Sequence, residues 1–527
     1  MLKIRAVACR TPALILTIAT VSMVLTSCGG VGQTSNVVNY TLPAQTPPNV
    51  VNTMTVTVGV TWPGQGGSPT GYGNGVFTSV GVCRPAVLPV GQNPPGGPPL
   101  PATCQIIPNI LVDTGSVGLR LLESATVDDL NLPSVTDSNN NPLQECVQFA
   151  DLSYVWGPVA RATIEMADEN ATQVPLPGET ANTGIPVQII TLPQYQTIAV
   201  PADCLASPPS GGVPIAANTL QTLGANGILG VGSFPQDCGA ACTSTPPRNQ
   251  YYSCPSNLCT PYSIPQNLQV WNPVAAFAYD NDGISLTLPS APLGGVGCPP
   301  PNAAEPPNSE CALTGTLTFG IETQSNNNLS QPVEVYGLDA YGNFPQVTFT
   351  YPNQIDSSQP PILLVNYLSP QDGSYIDSGS PAIYFSDAQS LLASLPTAQS
   401  AFAVPECLNP NVTPPSIYSG PLGLFSPSIL YCPTTPINFT AKVYGSNHSV
   451  PGLINWYIEN AKSLLNSQNS VFSTLGGDSG INVSTDYVDL GLPFFLGQTV
   501  FVGYAGTTLP YPQPLSPTTY PNGFWAF

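Results

Sequence analysis

The chain has 527 residues, a net charge of −20 and only nine lysines and arginines. It therefore lacks the cations that neutralise a phosphate backbone, and nucleic acid is a poor partner, so none is expected. Charged residues make up 7% of the chain, against roughly 25% in ordinary soluble domains, while hydrophobic residues reach 42%, enough for a large core. The 48 Gly and 62 Pro would suggest disorder if apolar runs were scarce, but such runs recur throughout. The expected fold is mainly β, with short strands joined by long Gly/Pro/Asn/Ser loops.

Lys3, Arg5 and Arg10 precede an apolar run over 13–24 that is too short and too early for a membrane span. Residues 1–27 read as an export signal. It ends in Leu25-Thr26-Ser27-Cys28-Gly29, which resembles a bacterial lipobox. Cys28 would then carry a lipid that anchors the chain without crossing the bilayer. Gly29, in place of an acidic residue, directs such a lipoprotein towards the outer membrane. An ordinary signal peptide with an incidental cysteine is the alternative. Residues 28–49 are polar and Pro-containing and read as a tether.

Strand-like alternation begins with Met54-Thr55-Val56-Thr57-Val58-Gly59-Val60. A Pro/Gly loop over 85–101 is bracketed by Cys83 and Cys104. Further strand signals fall at 106–112, 162–166, 187–192, 227–231, 284–288, 314–321, 347–351 and 373–376. Helical signals are few. One covers 387–395 and stops at Pro396. The other covers 451–465, where Leu453, Ile454, Tyr457, Ile458, Ala461, Leu464 and Leu465 follow a 3.6-residue period.

There are 14 cysteines, and setting aside Cys9 and Cys28 leaves an even number, as disulfides in an oxidising compartment require. Local pairs are expected for Cys83 with Cys104, Cys298 with Cys311, and Cys407 with Cys432. The spacing does not decide the pairing of Cys146, Cys204, Cys238, Cys242, Cys254 and Cys259. Zinc is a poor reading of that cluster behind an export signal.

One sequence unit occurs twice. Asn109-Ile110-Leu111-Val112 leads into Asp113-Thr114-Gly115-Ser116, and Gly373-Ser374-Tyr375-Ile376 leads into Asp377-Ser378-Gly379-Ser380. The copies lie 264 residues apart, a lobe-sized spacing. The turn-like run Ala278-Tyr279-Asp280-Asn281-Asp282-Gly283 divides an N-terminal lobe, 50–278, from a C-terminal lobe, 279–527. An aspartate in a tight turn after a buried strand sits at the end of a rigid element. The glycine lets another backbone approach closely, and the hydroxyls can hold the carboxylate. Two such turns meeting face to face would share one proton between two carboxyls. One carboxyl would then activate water while the other protonates a carbonyl oxygen.

These motifs resemble those of pepsin-like aspartic proteases. Asn226-Gly227-Ile228-Leu229-Gly230-Val231-Gly232 is similar to the apolar-apolar-Gly stretch behind the first active-site loop of that family. Leu490-Gly491-Leu492-Pro493-Phe494-Phe495-Leu496-Gly497 is similar to its second-lobe counterpart, and Gly315-Thr316-Leu317-Thr318-Phe319-Gly320 to a strand early in the second lobe. Cys407 with Cys432 resembles the second-lobe disulfide of secreted pepsins. The likeness covers roughly residues 50–510, in family order. The chain also resembles an uncharacterised bacterial family of exported proteins bearing Asp-Thr-Gly-Ser.

The resemblance implies a bilobal pepsin-like architecture with a cleft between lobes and Asp113 and Asp377 as the catalytic pair. Thr114, Gly115, Ser116, Ser378, Gly379 and Ser380 would support it. Thr114 and Ser378 would form cross-lobe bonds, and Ser116 and Ser380 would bond the outer carboxylate oxygens. A flap residue would come from the stretch around Phe149, Tyr154 and Trp156, where Phe149 or Tyr154 fits and packing of a hairpin is the alternative for Tyr154 and Trp156. Arg120 departs from the family, which has an apolar residue, often Trp, at that position.

No cofactor or metal is implied. His448 is the only histidine and lies in a polar turn, so a Ser-His-Asp mechanism or a multi-histidine zinc site has no support. Asp280-Asn281-Asp282-Gly283 lacks the rest of a calcium loop and reads as a turn. The expected function is an exported, lipid-anchored, monomeric aspartic endopeptidase acting on peptide or protein substrates. The alternative is a non-catalytic binding or surface-structural protein on the same fold.

Overall fold

A computed structural model describes residues 50–527 apart from 60–61, 64–68, 71–72, 87–102, 125–127, 151–152, 176–181, 206–213, 246, 298–312, 330–332, 353–362, 370–372, 387–403, 408–429, 447–450, 466, 468, 480–486 and 510–517. The expected signal, tether and Cys28 lie outside the described residues. So do the helix over 387–395, the pair Cys298 with Cys311, and His448.

The protein is mainly β. The first half supplies β1 (Thr53–Val58), β2 (Val76–Cys83), β3 (Cys104–Asp113), β4 (Val117–Leu122), β5 (Leu143–Gln148), β6 (Ser153–Met166), β7 (Ile185–Ile190) and β8 (Gly227–Val231). The end of β3 and all of β8 are buried, as expected of nearly continuous apolar runs covered on both faces. β3 pairs antiparallel with β2 and parallel with β8. β8 continues to β4, β4 to β7, and β7 to β6, and β6 returns to β2. These pairings close a six-stranded barrel, which leaves none of its six strands at an open edge. Its filling is aliphatic, with Val80, Val82, Leu119, Leu121, Ile164 and Val187 buried.

The second half supplies β9 (Gly283–Thr287), β10 (Leu313–Phe319), β11 (Val335–Gly337), β12 (Gln346–Tyr351), β13 (Leu363–Leu368), β14 (Tyr375–Ile376), β15 (Ile383–Phe385), β16 (Ile437–Tyr444), β17 (Gly452–Ile458), the short helix α1 (Ala461–Leu465), β18 (Gly476–Asp478), β19 (Asp489–Leu490), β20 (Thr499–Gly503) and β21 (Phe524–Ala526). β1 pairs along its whole length with β10, Thr53 opposite Thr318 and Val58 opposite Leu313. The sheet then runs through β9, β20, β21 and β11. It joins the two halves, and one core cluster spans Val56 to Trp525.

Two four-stranded sheets complete the second half, ordered β13-β12-β16-β17 and β14-β19-β15-β18. Their core is aromatic. Phe349 lies within stacking range of Tyr351, Phe385, Phe439 and Trp456. Each such ring pair adds about 0.5–1.5 kcal/mol beyond area burial.

The helix expected over 451–465 is a strand followed by a short helix. In β17, Ile454, Trp456 and Ile458 face the core, while Leu453 and Tyr457 are exposed. The true period there is 2. The apparent 3.6-residue period arose because Leu453 and Tyr457, on the outer face, are also apolar. Pairing with β16 decides the conformation, and only 461–465 remains helical.

The expected disulfides Cys83–Cys104 and Cys407–Cys432 are formed. The pairs that spacing left open are Cys146–Cys204, Cys238–Cys242 and Cys254–Cys259. With these sulfurs oxidised, the cluster offers no thiolates to zinc.

Candidate active site

The two Asp-x-Gly-Ser turns stand in the same local frame. In the first, β8 lies between β3, parallel, with Leu111 opposite Ile228, and β4, antiparallel, with Arg120 opposite Ile228. In the second, β19 lies between β14, parallel, with Tyr375 opposite Asp489, and β15, antiparallel, with Tyr384 opposite Asp489. The apolar-apolar-Gly stretches thus run directly behind the turns. Their glycines are required by contact. A Cβ on Gly230 would meet the Val117 backbone at 2.7 Å, and one on Gly491 would meet the Ala382 carbonyl oxygen at 2.0 Å.

The turns are tied to each other by four hydrogen bonds. Thr114 N–H donates to Ser378 Oγ at 3.1 Å, and Ser378 N–H donates to Thr114 Oγ1 at 3.0 Å. Thr114 Oγ1 donates to the Ile376 carbonyl at 3.1 Å, and Ser378 Oγ donates to the Val112 carbonyl at 2.8 Å. Each hydroxyl therefore accepts one bond and donates one, and the two halves do so reciprocally.

This clasp brings the carboxyls together. A Cβ on Gly115 would lie 2.4–2.6 Å from the Asp377 carboxyl, and one on Gly379 would lie 2.7 Å from Asp113 Oδ1. Only glycine fits at either place. Asp113 Oδ1 accepts from Gly115 N–H at 2.9 Å and Ser116 N–H at 3.2 Å, and its Oδ2 accepts from Ser116 Oγ. Asp377 Oδ1 accepts from Gly379 N–H at 2.7 Å, and its Oδ2 accepts from Ser380 Oγ at 2.9 Å. Burial pushes the Asp377 carboxyl well above the ordinary range, and the neighbouring Asp113 and Asp489 push it further. The arrangement can hold one proton between two carboxyls and present their inner oxygens to a third group. All eight residues expected from the two motifs are brought together.

The flap candidates separate. Phe149, at the end of the β5–β6 hairpin, packs on a cluster that contains Leu111 and Ile228, directly behind the first turn. Tyr154 and Trp156 pack elsewhere, against the Cys146–Cys204 disulfide, with Trp156 edge-on to Tyr252 at 5.5 Å. Of the three, Phe149 is the residue on the Asp113 side.

Arg120 is almost wholly buried. Its Nη2 pairs with Glu145 at 3.1 Å and Asp237 at 3.0 Å, and its Nη1 donates to the Val117 carbonyl at 2.6 Å. Tyr251 Oη donates to Asp237 Oδ1 at 2.6 Å. Its charge is therefore met inside the fold. The Asp237 carboxyl is pushed up by burial first and by Glu145 next, as expected when two carboxyls share one cation.

Residues 48–519 match the sequence pattern of the family described as Protein of unknown function (DUF3443). The chain belongs to that family. No curated protein matches it. In this DUF3443 protein the residue that sequence reading missed is Asp489. It is buried, burial pushes its carboxyl well above the ordinary range, and Ser380 acts on it in the opposite direction. The signal was available. Asp489-Leu490-Gly491 repeats Ile228-Leu229-Gly230 with an acid where the first copy has an apolar side chain.

Proposed function

We propose that this protein is an aspartic-type endopeptidase of bilobal, pepsin-like architecture in which Asp113 and Asp377 activate water to cleave peptide bonds. The observation that carries the reading is the reciprocal clasp of Thr114 and Ser378, which holds each turn's glycine against the other turn's carboxyl. A capped turn needs no second copy, and a purely structural pair of acids would not be pressed together without a cation.

The chemistry follows from one shared proton. Asp377, whose proton is held by burial and by Asp113, donates to the substrate carbonyl oxygen. Asp113 takes a proton from water as the water oxygen bonds the carbonyl carbon. Collapse of the resulting diol reverses both transfers: Asp113 protonates the leaving nitrogen, Asp377 recovers its proton from a diol hydroxyl, and the C–N bond breaks. Both aspartates retain a small exposed remnant, 7% and 8%, which gives water access. Disulfides such as Cys83–Cys104 and Cys146–Cys204 support an exported protein, and the sequence motif at Cys28 supports a lipid anchor to the envelope.

Digestion of a peptide library from acidic to neutral pH tests the reading. Wild type is expected to cleave, and Asp113→Asn and Asp377→Asn are each expected to lose about a thousandfold in kcat. Cleavage that persists in both variants, or is absent in all three proteins, overturns it in favour of a binding protein.

A further inference from the structure

We propose that Asp489 is a positioning residue of the site: as the neutral acid it donates to Ser380 Oγ, so that Ser380 gives its one hydroxyl proton to Asp377. The proposal rests on the reading of Asp113 and Asp377 as the reactive pair. Three observations lead to it. Ser380 Oγ donates to Asp377 Oδ2 at 2.9 Å, and Ser380 also acts on the buried Asp489 carboxyl. A serine has a single proton to give, so if Asp377 receives it, the second bond needs a proton from Asp489. Asp489 is 2% exposed, and its Oδ1 has no hydrogen-bond partner among the described residues, which a buried carboxylate would not tolerate. The equivalent place behind the first turn holds Ile228, so the acid serves no need common to the two frames.

The titratable groups facing Asp489 are Asp113 and Asp377 from the two turns, Tyr375 from β14 and Tyr384 from β15. No cation is among the groups that act on it. As an anion, Asp489 would add a second negative charge beside the one that Asp113 and Asp377 carry between them. As an acid it begins a chain of donors, Asp489 to Ser380 to Asp377, that fixes the outer oxygen of Asp377 and leaves the inner one for substrate. When Asp489 ionises at higher pH it competes for the serine proton and releases Asp377. Its ionisation therefore contributes to the basic limb of activity.

The test compares wild type, Asp489→Asn and Asp489→Ile in the full chain by kcat, KM and pH profile on a cleaved peptide. The Asn amide still donates to Ser380 but cannot ionise. That variant is expected to keep wild-type kcat at the optimum and to move the basic limb upward. Asp489→Ile reproduces the first frame and is expected to lose on the order of tenfold in kcat with KM unchanged. A basic limb that moves down in Asp489→Asn means that a negative charge was removed, and overturns the proposal. So does Asp489→Ile with wild-type kcat and profile. If wild type cleaves nothing, the peptidase reading fails and the pH dependence of Tm judges Asp489 separately. Above about pH 4 the unfolded chain ionises at this position while the fold stays protonated, so wild type loses stability as pH rises. Asp489→Asn is expected to show a shallower fall, and equal slopes overturn the proposal.

Discussion

The two turns are alike where they touch each other and unlike where they touch their own half. Across the contact, Thr114 and Ser378 make the same pair of bonds, and Gly115 and Gly379 occupy equivalent places against the opposing carboxyl. Behind the contact, the first turn has Ile228 and Arg120, while the second has Asp489 and Tyr384 in the same register positions. The mutual surface is under a constraint that neither half can change alone, because each hydroxyl completes bonds to the other half's backbone. The rear surfaces are free of that coupling and have diverged in charge. The first half buries a cation with two acids, and the second buries an acid without a cation.

The largest effect expected from this contrast is on Arg120. Arg120→Met leaves Glu145 and Asp237 facing each other unpaired in an apolar interior, and is expected to destabilise the fold by about 3–5 kcal/mol in denaturant titration. Adding Glu145→Gln and Asp237→Asn removes the stranded charges and is expected to restore most of that loss. Failure of the triple variant to recover would mean that the arginine acts through its packing rather than its charge. This cluster was not legible beforehand. Glu145, on β5, and Asp237, beyond the end of β8, lie 25 and 117 residues from Arg120, and only the tertiary fold brings them together. The resemblance therefore marked Arg120 as a departure without showing its cause.

An intermediate effect tests whether the mutual surface is as symmetric as its bonds. Thr114→Val and Ser378→Ala each remove one accepted and one donated bond and strand backbone groups of the opposite half. Each is expected to cost about 2–3 kcal/mol, and the double variant less than the sum, because both changes break the same clasp. A twofold difference between the single variants would break the symmetry. This part of the molecule was readable in the sequence for a physical reason. Turns that must meet another backbone accept only Gly and short hydroxyl side chains, so Asp-Thr-Gly-Ser and Asp-Ser-Gly-Ser remain recognisable 264 residues apart. β17 was not readable in the same way. Its outer face carries Leu453 and Tyr457, so the strand alternation was hidden until the pairing with β16 revealed it.

The smallest effect sharpens the contrast behind the turns. Ser116 is placed to bond Asp113 alone, whereas Ser380 stands between Asp377 and Asp489. Ser116→Ala should remove one bond and cost about 1 kcal/mol. Ser380→Ala should cost a similar amount at acidic pH but more as the pH rises. The Asp377 carboxyl is already pushed above the value it has in the unfolded chain, by burial, Asp113 and Asp489, and its bond from Ser380 pulls in the opposite direction. A group raised in the fold gives its full stability below the unfolded value, about 3.9 for aspartate, and loses it as the pH rises towards the folded value. Removing Ser380 takes away a bond that favours the ionised Asp377 and so raises that carboxyl further, and the window of loss widens upward. Tm measured between pH 4 and pH 8 should therefore fall more steeply in Ser380→Ala than in Ser116→Ala. Parallel curves would mean that the acid behind the second turn does not act through Ser380, and that the two frames differ in composition but not in electrostatics.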